Sequence, residues 1–450
     1  MDTTWLRLAP GDVRTERLQA EQEGRQIEPL LESFEDLGAE GRPVEEVASQ
    51  VYQEAVAKLL DTVQRAPMRE DYPYDEPSDL EPIRDRRRAG PGLADAVTAD
   101  ALLDRLRGAW AGRCAGCLLG KPVEGWRRDR MYGYLRDLDR FPLDRYFEAD
   151  VPEEVKNKYQ VDPSNPGFIE NVEAMPEDDD TNYTVTGLAV VRTHGPDFSS
   201  EDVADFWLRN IPLLHTCTAE RIAYRNVATM VLPSESASFR NPYREWIGAQ
   251  IRADAFGYLN PGDPAAAAEW AWRDARLSHI KNGIYGEMWA AATIAAAFCT
   301  DDPKEAMLAG LAQIPENSRL VQSIDKVIEW HEAGVAFDDA SERVHAEWDE
   351  HRGHDWCHTI SNAMIVAIGL LWGEGDFALS ICRSVQPCFD TDCNGATVGS
   401  IMGALLGYDA LPEPWLSPMK DTLITGVAGY HRVKISEMAE LTQSMIAGGG

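Results

Sequence analysis

Apolar residues recur every three or four positions along most of the chain, the spacing of one face of an α-helix. Near the N-terminus the pattern covers Ile27 to Phe34 and Val44 to Val63. It resumes at Leu102 and returns in Tyr183–Val191, 198–235, 264–276, Glu287–Phe298, three segments within 303–347, Ala363–Leu371, Phe377–Val385 and Ile435–Met445. About fifteen helical segments result, with no strand alternation among them. The pattern predicts an all-α chain: one compact multi-helix bundle over residues 96–450, preceded by an N-terminal helical extension and linker over residues 1–95. The extension is expected to be an appendage or an extra helical layer. Residues 67–91, rich in Pro, Asp and Arg, read as a linker or surface strap. Residues 127–175, aromatic and Pro-rich, read as a long excursion of the kind that forms lids or binding loops.

Two of these helical runs carry glycine at every fourth position. Gly108, Gly112, Gly116 and Gly120 form one row, and Gly395, Gly399, Gly403 and Gly407 the other. Each interior glycine costs a helix about 1 kcal/mol relative to alanine. A row of them therefore predicts close approach of another backbone along that face. The two rows are expected to pack against each other.

Charge narrows the partners. Lys and Arg number 43 against 75 Asp and Glu, a net charge of −32. Such a field repels nucleic acid and anionic membrane, so neither is expected as a partner, and it attracts cations. No apolar run reaches the roughly 18 residues of a membrane span. Met1 is followed by an acid and no apolar stretch, which predicts no secretory signal and a cytoplasmic, reducing location. The eight cysteines fall mostly in apolar helical text and read as buried free thiols. Cys114 and Cys117 have redox-motif spacing but no βαβ context, and read as core.

Two acid clusters open helices. In the first, Asp390-Thr391-Asp392 is followed by Cys393 and Asn394. Capping accounts for one aspartate there. The remainder is a knot of ligand-type side chains at the mouth of a tightly packed helix, as an oxygen-ligated cation requires. The second is Glu177-Asp178-Asp179-Asp180, four adjacent carboxylates. A pair of unit charges about 4 Å apart at an effective dielectric near 20 costs on the order of 4 kcal/mol. On a solvated loop such charges spread apart; convergent and buried, they need a cation. The two clusters could supply opposite sides of one metal site. Glu124 follows the end of the first glycine helix, where a side chain can point into a cleft or stand in an ordinary loop. Asn282-Gly283-Ile284-Tyr285-Gly286 reads as a turn whose free N–H groups could hold a phosphate. His354 and His358 have zinc-binding spacing, but Asp stands where a metalloprotease has Glu and no third ligand is evident. His358 and Asn362 open an apolar helix, as a cap or a substrate contact.

Together these stretches resemble the ADP-ribosylglycohydrolase family over about residues 100–410. The glycine helix ending in Gly-Lys-Pro-Val-Glu-Gly, the DDDT cluster, NGIYGEMW, HTISNA and DTDCNGATVGSIMGALLG stand in the family's order. The resemblance implies an all-α orthogonal bundle of that type with a binuclear Mg²⁺ or Mn²⁺ site. It places metal ligands at Asp178, Asp179, Asp180, Asp390, Asp392 and Cys393, with Asp178 and Cys393 standing where the family has hydroxyl residues. Cys117 stands where the family has an aspartate. Glu124 matches the family's functional glutamate. The implied reaction is metal-dependent hydrolysis at ribose C1, with Glu124 or Asp179 assisting as catalytic carboxylates. Asn282, Gly283, Tyr285, Gly286 and His358 would line the ribose–phosphate side, with Asn362 beside them. The expected substrate is ADP-ribose-like; the alternatives are a small nucleoside or nucleotide, or a non-catalytic binding role.

Overall fold

The computed structural model describes residues 7–93 and 98–448. Its axis is a pair of antiparallel helices, Ala99–Gly120 and Thr391–Leu406. Their glycine rows face each other. A Cβ on Gly112 would stand 2.2 Å from the Gly399 carbonyl oxygen, one on Gly116 1.9 Å from that of Gly395, and one on Gly403 2.0 Å from that of Gly108. No side chain fits at such separations, so glycine is what permits the contact. The register brings the C-terminus of the first helix to the N-terminus of the second, where the Thr391 hydroxyl donates to the Gly120 carbonyl at 2.9 Å.

A third helix, Asp179–His194, joins this end of the axis. Arg113, on the first glycine helix and fully buried, ties it there. Its guanidinium reaches Asp180 Oδ1 and Asp254 Oδ2, each at 2.9 Å, and donates to Thr184 Oγ1 and the Ile251 carbonyl. Lys281–Ala297 and Thr359–Trp372 are helices buried almost throughout, the first rich in alanine so that neighbours approach closely. Residues 8–63 have a smaller apolar cluster of their own, including Val13, Phe34, Val56 and Val63.

Buried charge joins that cluster to the rest. Arg244 pairs with Glu16 at 2.6 Å and Glu23 at 2.8 Å, and Gln19 Nε2 donates to Glu245 at 2.7 Å. His354 accepts from Trp246 Nε1 through Nδ1, at 3.0 Å, which leaves its Nε2–H to donate to Gln22 Oε1 at 3.1 Å. Along the strap, buried Glu76 pairs with Arg319 at 2.9 Å. The expected boundary at residues 95 and 96 lies outside the described residues.

The described residues form 24 α-helices, more than the periodicity predicts. The extra ones include Leu80–Arg84, Gly353–Cys357 and Glu413–Leu416, too short to display a period. A hairpin of three-residue strands, Thr422–Ile424 and Arg432–Lys434, is likewise below what alternation reveals. One local reading needs correction. Asn282–Gly286 is not a turn before a helix but the opening turns of Lys281–Ala297. Residues 127–175, read as a long excursion, are partly helical: they hold the helices Arg128–Asp137 and Glu153–Tyr159, and bury Tyr134, Phe147 and Phe168.

Candidate metal centre

Three helix ends converge on one cavity of about 580 Å³. Lys121 and Glu124 follow the first glycine helix, Asp178 caps the helix it precedes by accepting from the Asp180 N–H at 3.0 Å, and Asp390 precedes the second glycine helix. The positive ends of the last two helices point their N–H groups at the acids and offset part of the repulsion. Oxygens of Asp178, Asp179, Asp180 and Asp392 all lie within 4.8 Å of one another, and so do those of Glu124, Asp390 and Asp392. Glu124 stands on the exposed rim; Asp178, Asp180, Asp390 and Asp392 are buried.

Crowding shows in the proton affinities. The Asp392 charge, then burial, pushes Glu124 up to about 9. Burial and the charges of Asp178 and Asp392 push Asp179 up to about 8. Asp392 rises to about 6, and Asp180 and Asp390 rise well above the usual carboxylate range, all through burial first and neighbouring acids second. Asp178 goes the other way: burial would raise it, but the Lys121 ammonium, 2.6 Å from Oδ2, overrides that and holds it low.

The donor set fits a divalent cation. Asp180 Oδ2 and Asp392 Oδ1 are buried and accept no hydrogen bond. Unsatisfied buried carboxylate oxygens are costly, and a cation between them removes the cost. Among the described residues, no other arrangement of His, Cys, Asp and Glu with metal-ligand geometry lies outside this cavity.

Of the site residues named from the sequence, Glu124, Asp178, Asp179, Asp390, Asp392 and Cys393 line the cavity, and Asp180 lies directly behind it. Asn362 does not line it but holds its wall: its Oδ1 accepts from the Asp390 N–H at 3.0 Å and from Asn394 Nδ2 at 2.8 Å. His358 is buried away from the cavity, capping the helix Thr359–Trp372 through the Ile360 N–H and stacked on Trp348. Asn282, Gly283, Tyr285 and Gly286 lie elsewhere. Asn282 bonds to Glu76 and Glu245, the Tyr285 hydroxyl donates to the Pro77 carbonyl, and Gly283 and Gly286 admit the Arg244 carbonyl and the Thr359 hydroxyl.

Sequence reading missed several cavity residues. Glu220, fully buried and paired with Arg252, faces it from the helix Thr218–Ala228. Trp246 and Trp356 form apolar walls, and the Glu177–His215 pair stands at the mouth. Each is a single residue in unremarkable text, without the doubled acids that mark the two clusters. No residue of 127–175 lines the cavity.

The ADP-ribosylglycohydrolase family profile matches residues 98–447. The chain belongs to the ADP-ribosylglycohydrolase family. It is thus placed among hydrolases of glycosidic bonds, with an all-α fold. A solved structure of an ADP-ribosylglycohydrolase-related protein complex is similar over 78% of this chain and 100% of its own, at 20% identity and a TM-score of 0.48. No curated protein matches the sequence. The family match begins at the first glycine helix and takes in every acid of the cavity. No helix among the described residues is long and apolar enough to cross a membrane.

Proposed function

We propose that the chain is a metal-dependent glycosidase that cleaves the bond at C1 of a ribose in an ADP-ribosylated or related substrate. The observation that carries this reading is the pair of buried, unpartnered oxygens, Asp180 Oδ2 behind an open cavity and Asp392 Oδ1 in its wall, in one cluster of acids within 4.8 Å of one another. Asp178, Asp179, Asp180, Asp390 and Asp392 would hold two divalent cations, Mg²⁺ or Mn²⁺ wherever oxygen alone ligates. Bound there, they supply a Lewis-acid hold on the ribose hydroxyls and order a water for attack.

The chain's own groups do the rest. Glu124 and Asp179, whose protons the Asp392 and Asp178 charges help to hold, would both ionise once cations bound among these acids offset those charges. Glu124, on the rim beside Asp390 and Asp392, would then accept the proton of the attacking water. Asp179 would face the sugar with a carboxylate that stabilises an oxocarbenium-like transition state. Trp246 and Trp356 present ring surface to the flat part of substrate. Arg127, 5.1 Å from the Trp356 ring, keeps that wall in place. A cavity of about 580 Å³ also accepts a free nucleoside, which favours a small nucleoside or nucleotide as the second reading.

The test is incubation of cation-loaded protein with an ADP-ribosylated arginine peptide, an ADP-ribosylated serine peptide and free nucleosides, with chromatography of the products. Release of ADP-ribose that stops with a chelator and in Asp392→Asn is the expected result. Release of base from a nucleoside alone selects the second reading. No release from any of them, with cation bound, contradicts both.

A further inference from the structure

We infer that two cysteine thiols, Cys117 and Cys393, are ligands of this centre, so that it takes a thiophilic divalent cation such as Zn²⁺ or Co²⁺ in preference to Mg²⁺. The inference rests on the metal-site reading above and concerns which cation that site selects. Cys393 Sγ and oxygens of Asp180 and Asp392 lie within 4.8 Å of one another, and Cys117 Sγ does so with oxygens of Asp178 and Asp180. Asp180 is common to both groups. Within this acid cluster, Asp180 and Asp392, 0% and 3% exposed, are the carboxylates with a buried oxygen that accepts no hydrogen bond. Two independent features therefore coincide in the same residues: sulfur at ligand distance, and carboxylate oxygens that accept no hydrogen bond.

A buried cysteine is ordinarily a small core hydrophobe. These two have a different setting. Cys117 Sγ lies within 4.8 Å of oxygens of Asp178 and Asp180, and Cys393 forms part of the cavity wall. Their neighbours are the carboxylates themselves. Mg²⁺ has little affinity for sulfur, whereas Zn²⁺ and Co²⁺ accept mixed sulfur and oxygen donors. On binding, each thiol loses its proton to solvent and its sulfur lone pair forms the bond to the cation, so one proton is released for each sulfur ligand.

The experiment titrates Co²⁺ into the full-length, chelator-stripped protein while recording near-ultraviolet absorbance and, separately, heat. The expected result is a sulfur-to-cobalt charge-transfer band that saturates with binding. Cys393→Thr and Cys117→Ser each weaken it, and the double variant loses it while still binding Mn²⁺. Cys217→Ser, whose thiol lies in none of the groups of ligand atoms, keeps it. The preference for Zn²⁺ over Mg²⁺ falls at least about tenfold in Cys393→Thr. Should a variant fail to fold, the wild-type band decides alone. Heat of Co²⁺ binding without the band, or a band lost only with Cys217→Ser, overturns the sulfur assignment and leaves the hydrolase reading intact. No heat with either Co²⁺ or Mn²⁺ overturns the reading on which it rests.

Discussion

Lys121 occupies the acid cluster as the chain's own cation, 2.6 Å from Asp178 Oδ2. It neutralises one carboxylate and would compete with a divalent ion for that oxygen. Lys121→Met is therefore expected to tighten Mn²⁺ binding roughly tenfold, about 1.4 kcal/mol, while lowering the melting temperature of the metal-free protein. Calorimetry and thermal unfolding of the same samples check both signs. An unchanged affinity would mean that Asp178 is no ligand. At this scale the sequence was informative where acids are doubled. Asp178 to Asp180 and Asp390 to Asp392 stand out in text and meet in space. Lys121 and Glu220 are as close to the chemistry but single, and nothing local distinguishes them from surface residues. Asn282 stands outside the cavity, and its neighbouring glycines make room for the Arg244 carbonyl and the Thr359 hydroxyl.

Among the helices, the glycine pair sets the geometry of the centre. Glu124 and Asp392 are far apart in sequence, and the antiparallel register alone brings the two helix ends together. Gly116→Ala would drive a Cβ to 1.9 Å from the Gly395 carbonyl oxygen, against backbone that cannot rotate away. The expected cost is roughly 3 kcal/mol or more, read from the denaturant midpoint. Gly353→Ala, whose Cβ meets nothing within 4 Å, is expected to stay within about 0.5 kcal/mol and serves as the control. Equal stability of the two variants would contradict the role given to the glycine contact. The four-residue spacing of both rows made this pairing legible before any coordinates. The convergence of the Asp179–His194 helix on the same end was not, because it depends on the buried Arg113 clamp, and an arginine inside an apolar helix reads as an ordinary exposed residue.

Over the whole molecule, buried charge joins the first helices to the remainder. Arg244 is held between Glu16 and Glu23, and replacing it with Met leaves two carboxylates without their cation. Removing one partner of a buried pair costs about 3–5 kcal/mol, so Arg244→Met should release residues 7–93 to limited proteolysis. Resistance equal to wild type would show that the apolar contacts suffice. The same contact surface carries a pH dependence. Burial pushes the His354 imidazole from 6.5 down to about 3, with Arg319 and Arg244 acting the same way. It is neutral in the fold, so its contribution is complete above pH 6.5 and is lost as pH falls from there toward 3. The slope approaches 1.4 kcal/mol per pH unit for this one group. His279 and His358, also driven down by burial, add to it in the same direction. The stability advantage of wild type over His354→Gln should therefore shrink as pH falls from 6.5 toward 4; an advantage that stays constant over that range would contradict the neutral buried assignment. The helical class of the molecule was plain from periodicity. How its first helices join the rest was not, since ion pairs between distant segments leave no periodic trace.

The central claim is that the convergent carboxylates hold a divalent cation. Calorimetric titration of the metal-free protein with Mn²⁺, beside Asp392→Asn, tests it most directly. The account predicts saturable binding in the wild type and an affinity at least about tenfold weaker in the variant. Absence of binding in the wild type, or equal binding in both, would contradict it.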